Sequence, residues 1–385
     1  MWWLLMSVSV MAQDADILPK SNSPYSRLGL GDPLDQFYAA QAGMGGLSAA
    51  FRDAHHLNML NPASLAGLQA TAFEIGLFGR YASLQEGDQQ TDAWSGNLNY
   101  LALGFPLINP INEALDRRKS PVGLGMMFSL QPYTQVGYNV ESVIDSGNEE
   151  LGTTTNRFKG QGGLYRLNWG NGFRYKNFSA GVRLGYLFGK ISSNARVEFD
   201  SIGQAWATEF LDEISYSGLT WNAGLLYTHQ FKERNDEGKL APSGRSLTVG
   251  LYGNTQNSFN TRASLFYQRN NNALIAVDTI AYDDDARGSG RLPTELTLGL
   301  MYENVDKFRL GADFSLGQWS QYENEAKPEQ LSDTWSVTVG GEYIPDVLSY
   351  NNYFERVRYR FGLFYRNDPR SIGGAQIKEY GLSFG

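Results

Sequence analysis

The sequence predicts an all-β protein: a transmembrane antiparallel β-barrel behind a folded N-terminal segment. Large apolar residues alternate with glycine or polar residues in one segment after another, aromatic residues cluster at the ends of these segments, and a short apolar stretch opens the chain. Because side chains alternate across a strand, each segment has one apolar face and one small or charged face. A soluble β-sandwich shows the same alternation and is the alternative fold.

The composition agrees with a membrane barrel. The 385 residues include 43 glycines, 22 tyrosines and 21 phenylalanines, and no cysteine, which excludes disulfides and thiol nucleophiles. Mean hydropathy is −0.36, and no apolar run as long as a transmembrane helix follows the N-terminus. A membrane-spanning strand needs only about 10 residues, half of them polar. The net charge of −8 argues against a nucleic-acid partner, because phosphate binding needs a basic face.

The first twelve residues are typical of an export signal. Trp2–Val10 is apolar but too short to span a membrane, and Val10-Met11-Ala12 before Gln13 resembles a cleavage site. No lysine or arginine precedes the apolar run, so a buried N-terminal strand is the alternative. We interpret residues 1–12 as a cleaved signal peptide and expect the mature chain in the bacterial outer membrane.

Residues 13–68 are rich in turns and have little period-2 pattern. We interpret them as a folded hatch, with short helices at Leu34–Ala42 and Leu47–His55, in front of a barrel at 69–385. The hatch carries a glycine cluster and an Asx-Pro turn: Gly43, Gly45, Gly46, Asn61, Pro62 and Ala63.

The period changes to 2 from Ala70 onward. In Phe178–Phe188, for example, the apolar residues fall on one face, and Ser179, Gly181 and Arg183 fall on the other. The predicted strands are 70–86, 94–106, 121–143, 153–175, 177–200, 214–232, 244–257, 261–282, 291–304, 307–322, 333–345, 355–366 and 375–385.

The count of thirteen is odd, whereas bacterial single-chain barrels have an even number of strands. One alternative is that 261–282 is a hairpin around Asn270-Asn271-Asn272. The alternation is also still running at Phe384, which predicts that the barrel is incomplete at the C-terminus.

Several motifs resemble, in the same order, those of the FadL/TodX family of outer-membrane transporters for hydrophobic compounds. Ala42-Gly43-Met44-Gly45-Gly46 and Asn61-Pro62-Ala63-Ser64-Leu65-Ala66 resemble the N-terminal hatch of that family. The later motifs are Phe158–Gly163, Leu292–Glu295 with Asp313 and Trp319-Ser320, Gly340–Tyr343 and Arg360–Pro369. The similarity covers nearly the whole chain. Ser23-Pro24-Tyr25-Ser26-Arg27 also resembles barrels common in Bacteroidetes.

The resemblance implies a 14-stranded barrel whose hatch plugs the lumen and whose ligands leave sideways past an inward-kinked strand. Pro132, within 121–143, would make such a kink, because proline cannot donate a ladder hydrogen bond; a loop beyond the membrane is the alternative. Because apolar ligands need a dry pocket, the candidate ligand contacts are Phe37, Met44 and Phe51.

No group of residues points to catalysis. His229 is followed by Gln230 and Phe231 and lacks the neighbouring serine that a phospholipase would use. His55 and His56 are adjacent and do not share a face, as metal ligands at i and i+4 do. We therefore predict no catalytic, cofactor or metal site, and a protein that is not an enzyme.

Two functions stay open. The first is transport of hydrophobic, long-chain fatty-acid-like molecules by a plug-gated lateral route. The second is an accessory or scaffold barrel of a secretion system, similar to a type IX shuttle component, with a protein partner. An apolar pocket that reaches a lateral gap favours transport, and a lumen filled by arginine–acid pairs favours the scaffold. The arginines concerned are Arg183, Arg309, Arg356, Arg358 and Arg360. We expect contact with outer-membrane lipid, and a monomer.

Overall fold

The computed structural model describes residues 23–87, 89–108, 120–145, 152–199, 206–234, 240–270 and 276–385. They form an all-β structure, which confirms the predicted fold class. No helix within these ranges is both long enough and apolar enough to cross a membrane. The predicted signal peptide, residues 1–12, lies outside the described residues.

The described part of the chain contains fourteen strands of ten residues or more. They are β2 (Ala72–Glu86), β3 (Gln89–Pro106), β4 (Val122–Asp145), β5 (Thr153–Tyr175), β6 (Phe178–Phe199), β7 (Ala207–Arg234), β8 (Leu240–Asn254), β9 (Asn257–Asn270), β10 (Ala276–Leu292), β11 (Glu295–Asn304), β12 (Phe308–Gly317), β14 (Thr334–Tyr343), β15 (Tyr359–Ile372) and β16 (Ala375–Phe384). The short elements are β1 (Asp32–Pro33), β13 (Glu323–Asn324), α1 (Ala39–Ala42) and 3₁₀-helices at Pro24–Arg27, Pro62–Gly67, Trp319–Gln321 and Tyr353–Glu355.

All these strands belong to one antiparallel sheet, whose main path is β2-β3-β4-β5-β6-β7-β8-β11-β12-β14-β15-β16. β7 pairs with β8 along its C-terminal part and with β9 along its N-terminal part. β8 pairs in turn with β11, and β9 pairs with β10. Leu292 pairs with Asn257 and Glu295 pairs with Asn254, so one register runs through both joins. β9 thus continues the line of β8, and β10 continues the line of β11, so the fourteen long strands occupy twelve positions across the sheet. The segment 261–282 divides between the paired strands β9 and β10.

The outward face of the sheet carries a belt of exposed apolar side chains. On β6, Phe178 is 66% exposed and Tyr186 is 46% exposed, whereas Leu187 is buried. Beyond Phe188 the next outward position is Lys190. The apolar part of β6 therefore has the length of about 10 residues that a membrane-spanning strand needs.

The lower end of the sheet is defined here as the end where β5 leads into β6 and β11 into β12. At the opposite, upper end, β4–β7, β9 and β10 rise beyond the belt as a taller wall. A hydrophobic core lies against this wall and includes Leu30, Tyr216, Phe259 and Tyr322. Residues from the N-terminal region and from the loop after β12 therefore pack on the taller wall.

The hatch region contains less helix than predicted. The predicted helix Leu34–Ala42 is helical in α1, its last four residues. The predicted helix at Leu47–His55 is wrong. The backbone N–H groups of Ser48 and Ala49 bond to the Asp313 carboxylate instead of forming helical hydrogen bonds. Side-chain partners thus compete with the helix for these donors.

Candidate functional site

Residues 38–68, named here the central segment, contribute much of the main core. Their most deeply buried large side chains are Met44, Leu47, Phe51, Leu57, Met59 and Leu65. These side chains cluster with Tyr100 of β3, Met127 of β4 and Met301 of β11. The central segment therefore lies inside the curve of the sheet and packs against its inward face.

Glycines on ten strands allow the central segment to approach the wall closely. This glycine ring consists of Gly104, Gly125, Gly172, Gly181, Gly224, Gly250, Gly299, Gly311, Gly340 and Gly362. Gly125, Gly172, Gly181 and Gly224 are successive cross-strand partners, and so are Gly311, Gly340 and Gly362. A Cβ on Gly172 would lie 2.7 Å from both Pro62 O and Ala66 N. A larger residue there would push the backbone of the central segment away.

The Asn61-Pro62-Ala63 motif fixes the shape of the central segment. Asn61 Oδ1 accepts the N–H of Ala63 at 3.1 Å and caps the 3₁₀-helix Pro62–Gly67. Asn61 Nδ2 donates to the carbonyl of Ala49 at 2.6 Å. The motif thus joins two stretches of the central segment that lie next to the glycine ring.

The predicted hatch glycines form the turn after α1. Gly45 and Gly46 have φ angles of +75° and +94°, in the left-handed region that glycine adopts at little cost. The carbonyl of Gly43 accepts a hydrogen bond from Ser383 Oγ at 3.1 Å, which ties the turn to β16.

Asp313 of β12 connects the wall to the central segment. Its Oδ2 accepts the N–H groups of Ser48 and Ala49 at 2.7 and 2.9 Å, and the Ser48 hydroxyl at 3.2 Å. The carboxylate is buried, and charge-assisted hydrogen bonds of this kind are stronger than neutral ones.

Charged side chains fill the lower end of the interior. Glu342, which is 4% exposed, lies 2.7 Å from Arg360 and 3.4 Å from both Arg309 and Arg358. Arg309 also lies 3.6 Å from Asp53 of the central segment. Three of the five arginines predicted to line the lumen therefore meet at one buried carboxylate.

The other two arginines lie elsewhere. Arg183 is buried on β6 and donates to the carbonyl of Met59. The guanidinium of Arg356 lies 6.0 Å from the ring of Tyr353, in the loop between β14 and β15.

Asp53 and His56 are two of the four groups of the central segment whose pKa values are shifted. Burial alone would raise the pKa of Asp53, but the N–H of His55 and the Arg309 guanidinium outweigh it, so the pKa is lowered. The hydrogen bond with Glu74, at 3.2 Å, raises the pKa of His56 despite partial burial. Both shifts favour the ionised form.

A cavity of about 310 Å³ lies above the central segment and is named here the upper cavity. Its apolar lining includes Phe37, Leu60, Trp319 and Trp335, and its charged lining includes Arg166, Arg183 and Glu295. Arg166 stacks on the ring of Tyr133 at 4.2 Å, and its buried Nε has no hydrogen-bond partner among the described residues. The upper cavity therefore combines an apolar lining with a positively charged region.

The wall is interrupted between β3 and β4. Within the described ranges these strands pair over six positions, Leu101–Pro106 with Gly125–Leu130. Above Leu130 the edge of β4 bonds to the N-terminal region instead: Pro33 pairs with Thr134. β3 continues upward to Gln89 without β4 as a partner.

Pro132 lies within β4, at a bulge in its pairing with β5 between Pro132 and Thr134. Residues 131–138 lose the alternation of burial seen lower on the strand. A groove of about 590 Å³ is lined by Pro132, Asn97 and Phe188, among others. Thr134 lines both this wall groove and the upper cavity.

Residues 23–36, named here the N-terminal strap, run from the edge of β4 to β15. The strap's Asp32 pairs with Arg370 of β15, and its Asp35 lies 2.7 Å from Arg366 of the same strand. Ion pairs to β15 therefore hold the strap that covers the edge of β4.

The predicted ligand contacts separate into two groups. Phe37 lines the upper cavity, whereas Met44 and Phe51 belong to the main core, at 0% and 1% exposed. Sequence reasoning missed the glycine ring and Arg166. The ring had a signal, because glycines recur at inward positions of successive alternating segments, as at Gly172 and Gly181. Arg166 had none, since its surroundings come from distant parts of the chain.

The fold and site define a class of protein: a curved antiparallel sheet with an outward apolar belt and an N-terminal segment packed against its inward face. The chain belongs to the BamG family, whose family model matches residues 1–385. No curated protein sequence matches it.

Several solved structures are similar in fold. The toluene transporter TbuX of Ralstonia pickettii is 14% identical with a TM-score of 0.49, over 91% of this chain and 89% of that chain. The toluene transporter TodX of Pseudomonas putida is 15% identical with a TM-score of 0.47, over 87% and 84%. A FadL homologue of Pseudomonas aeruginosa is 16% identical with a TM-score of 0.46, over 87% and 81%.

Proposed function

We propose that this protein is a bacterial outer-membrane barrel that carries hydrophobic small molecules sideways through its wall. The observation that carries the proposal is the interruption between β3 and β4, because residues on both sides of it line the wall groove and Thr134 also lines the upper cavity. The exposed apolar belt supports a membrane location, since a large exposed apolar surface on a soluble protein is rare. Export by residues 1–12 and a monomeric state complete the proposal.

In this proposal the central segment acts as the plug. The glycine ring seats it against ten strands, and the Glu342 cluster fills the space at the lower end. A path straight down the lumen is therefore blocked. A molecule in the upper cavity would leave between β3 and β4, once the N-terminal strap moves from the edge of β4.

The chemistry of the upper cavity favours a long-chain fatty-acid-like ligand. Among the charged residues of its lining, Arg366 pairs with Asp35 and Arg370 pairs with Asp368. The remaining ones are two positive residues, Arg166 and Arg183, and one negative residue, Glu295. A ligand carboxylate in the cavity would pair with the guanidinium groups of its lining, and charge-assisted contacts of this kind are the strong ones. The aromatic lining, including Phe37, would accommodate the apolar part of the same molecule.

A scaffold barrel of a secretion system, similar to a type IX shuttle component, is the second candidate. The observation that favours it is the filled interior, where Arg309, Arg358 and Arg360 surround Glu342 below a closely packed central segment. A rigid interior of this kind suits a barrel that supports a protein partner.

Native mass spectrometry of the full chain, purified in mild detergent, separates the two functions. Transport predicts bound lipid-like molecules that are largely lost in Arg166→Gln but retained in the control Arg287→Gln, whose side chain is exposed. A co-purifying protein with no bound lipid would contradict transport and support the scaffold.

A further inference from the structure

The loop between β14 and β15 presents large apolar side chains at the lower end of the barrel. Leu348 and Tyr350 are 85% and 89% exposed, and Tyr353 and Phe354 are 68% and 69% exposed. Four large side chains so close together form an apolar surface of the kind that normally contacts a partner or a membrane. The plug, the upper cavity and the wall groove do not include this loop.

The loop has a defined conformation. Asp346 N donates to the carbonyl of Glu355 at 2.9 Å and closes the base of the loop. The Asn352 side chain accepts the N–H of Phe354 at 3.1 Å and donates to Glu355 Oε1 at 3.1 Å. Ile344 N donates to the carbonyl of Lys307 in the neighbouring turn. The backbone therefore holds the apolar side chains in their exposed positions.

The loop is continuous with the outward apolar belt. The hydroxyl of Tyr359 donates to the carbonyl of Phe354 at 3.0 Å, and Tyr359 lies on the outward face of β15. Tyr343, its cross-strand partner on β14, is also exposed, at 55%. The apolar loop thus extends a surface that already has the character of a lipid contact, at the level where aromatic residues meet the headgroups.

We propose that residues 347–354 insert into the headgroup region of the membrane leaflet at the lower end and anchor the barrel there. Tyrosine, phenylalanine and leucine suit this layer, because their apolar parts are buried while the tyrosine hydroxyl stays hydrated. Arg356, whose guanidinium lies over the Tyr353 ring, is placed to meet lipid phosphate. This inference rests on the proposed membrane location and not on transport.

Because the sequence contains no cysteine, a single introduced cysteine can be labelled specifically. The variant Tyr350→Cys of the full chain is labelled at the new thiol with the environment-sensitive dye NBD. The labelled protein is then reconstituted, without any other protein, into vesicles of phosphatidylethanolamine and phosphatidylglycerol with brominated acyl chains. Leu225→Cys in the belt is the membrane control, and Thr279→Cys on the taller wall is the water control. We expect blue-shifted, quenched emission at position 350, close to that at 225 and unlike that at 279.

Unquenched emission at position 350, equal to that at 279, would overturn the proposal when the label at 225 is quenched. Such a result would assign the loop to water or to a protein partner. Unquenched emission at 225 would instead contradict the membrane location on which the proposal rests, so the two failures are distinguishable.

Discussion

Gly172 tests how the central segment is seated. A Cβ at this position would lie 2.7 Å from Pro62 O and Ala66 N and 3.1 Å from Leu65 Cβ. Ordinary contact starts at 3.4 Å, so the difference, 3.4 minus 2.7, requires a shift of 0.7 Å. Two of these atoms are backbone atoms of the capped 3₁₀-helix, which has little freedom to give way. Gly172→Ala should therefore cost about 1–3 kcal/mol, the usual range for overpacking a close-packed interior.

Urea unfolding in detergent micelles, followed by tryptophan fluorescence, measures this loss for Gly172→Ala. Limited trypsin digestion gives a second readout, because a loosened central segment exposes the bond after Arg52. Gly79→Ala is the control, since a Cβ on Gly79 meets nothing within 4 Å. Equal stability and equal protection at Arg52 in the two variants would refute the idea that the glycine ring seats the central segment.

Three further predictions concern polar contacts of the central segment and the lower end. Asp313→Ala should cost about 1–3 kcal/mol for each backbone N–H left without its acceptor, measured by the same unfolding assay. An unchanged unfolding midpoint would contradict the stabilising connection between Asp313 and the central segment. Glu342→Gln should cost about 1.5–3 kcal/mol, because it weakens the charge-assisted contacts that this buried carboxylate makes with the partly buried Arg309 and Arg360, and Arg287→Gln at the surface is its control. The pKa of His56 is raised by its bond to Glu74, so its contribution to stability is complete below the ordinary value of 6.5 and lost as pH rises through the raised pKa. His56→Ala should remove that part of the pH dependence, and a profile identical to that of the wild type would count against it.

The belt was predictable from sequence because alternation is a local property. A strand that faces lipid on one side must alternate along its own length, and the predicted 177–200 and the observed Phe178–Phe199 nearly coincide. The prediction was poorest where strands leave the belt. β7 starts at Ala207, seven residues before the predicted start at 214, because neither face of that stretch is uniformly apolar.

The site could be predicted in part. The hatch motif Asn61-Pro62-Ala63 was visible because an Asx-Pro turn is encoded locally. An inward-kinked strand at Pro132 was implied only by the family resemblance. The contacts that cover the edge of β4, the pairing of Pro33 with Thr134 and the ion pair of Asp32 with Arg370, join groups far apart in sequence. No local pattern reports contacts of this range.

Lateral transport is tested most directly by a disulfide that holds the N-terminal strap in place. Pro33 and Thr134 are Cα partners at the edge of β4, so Pro33→Cys with Thr134→Cys places two thiols at a separation that suits a disulfide. Ala102→Cys with Ser129→Cys, across the paired part of β3 and β4, is the matched control.

The assay is uptake of radiolabelled oleate by Gram-negative cells that lack their own fatty-acid transporter and express each variant. The account predicts that the oxidised strap variant loses uptake, that reduction restores it, and that the control pair transports equally in both states. Full uptake by the completely oxidised strap variant would contradict a route through the wall between β3 and β4.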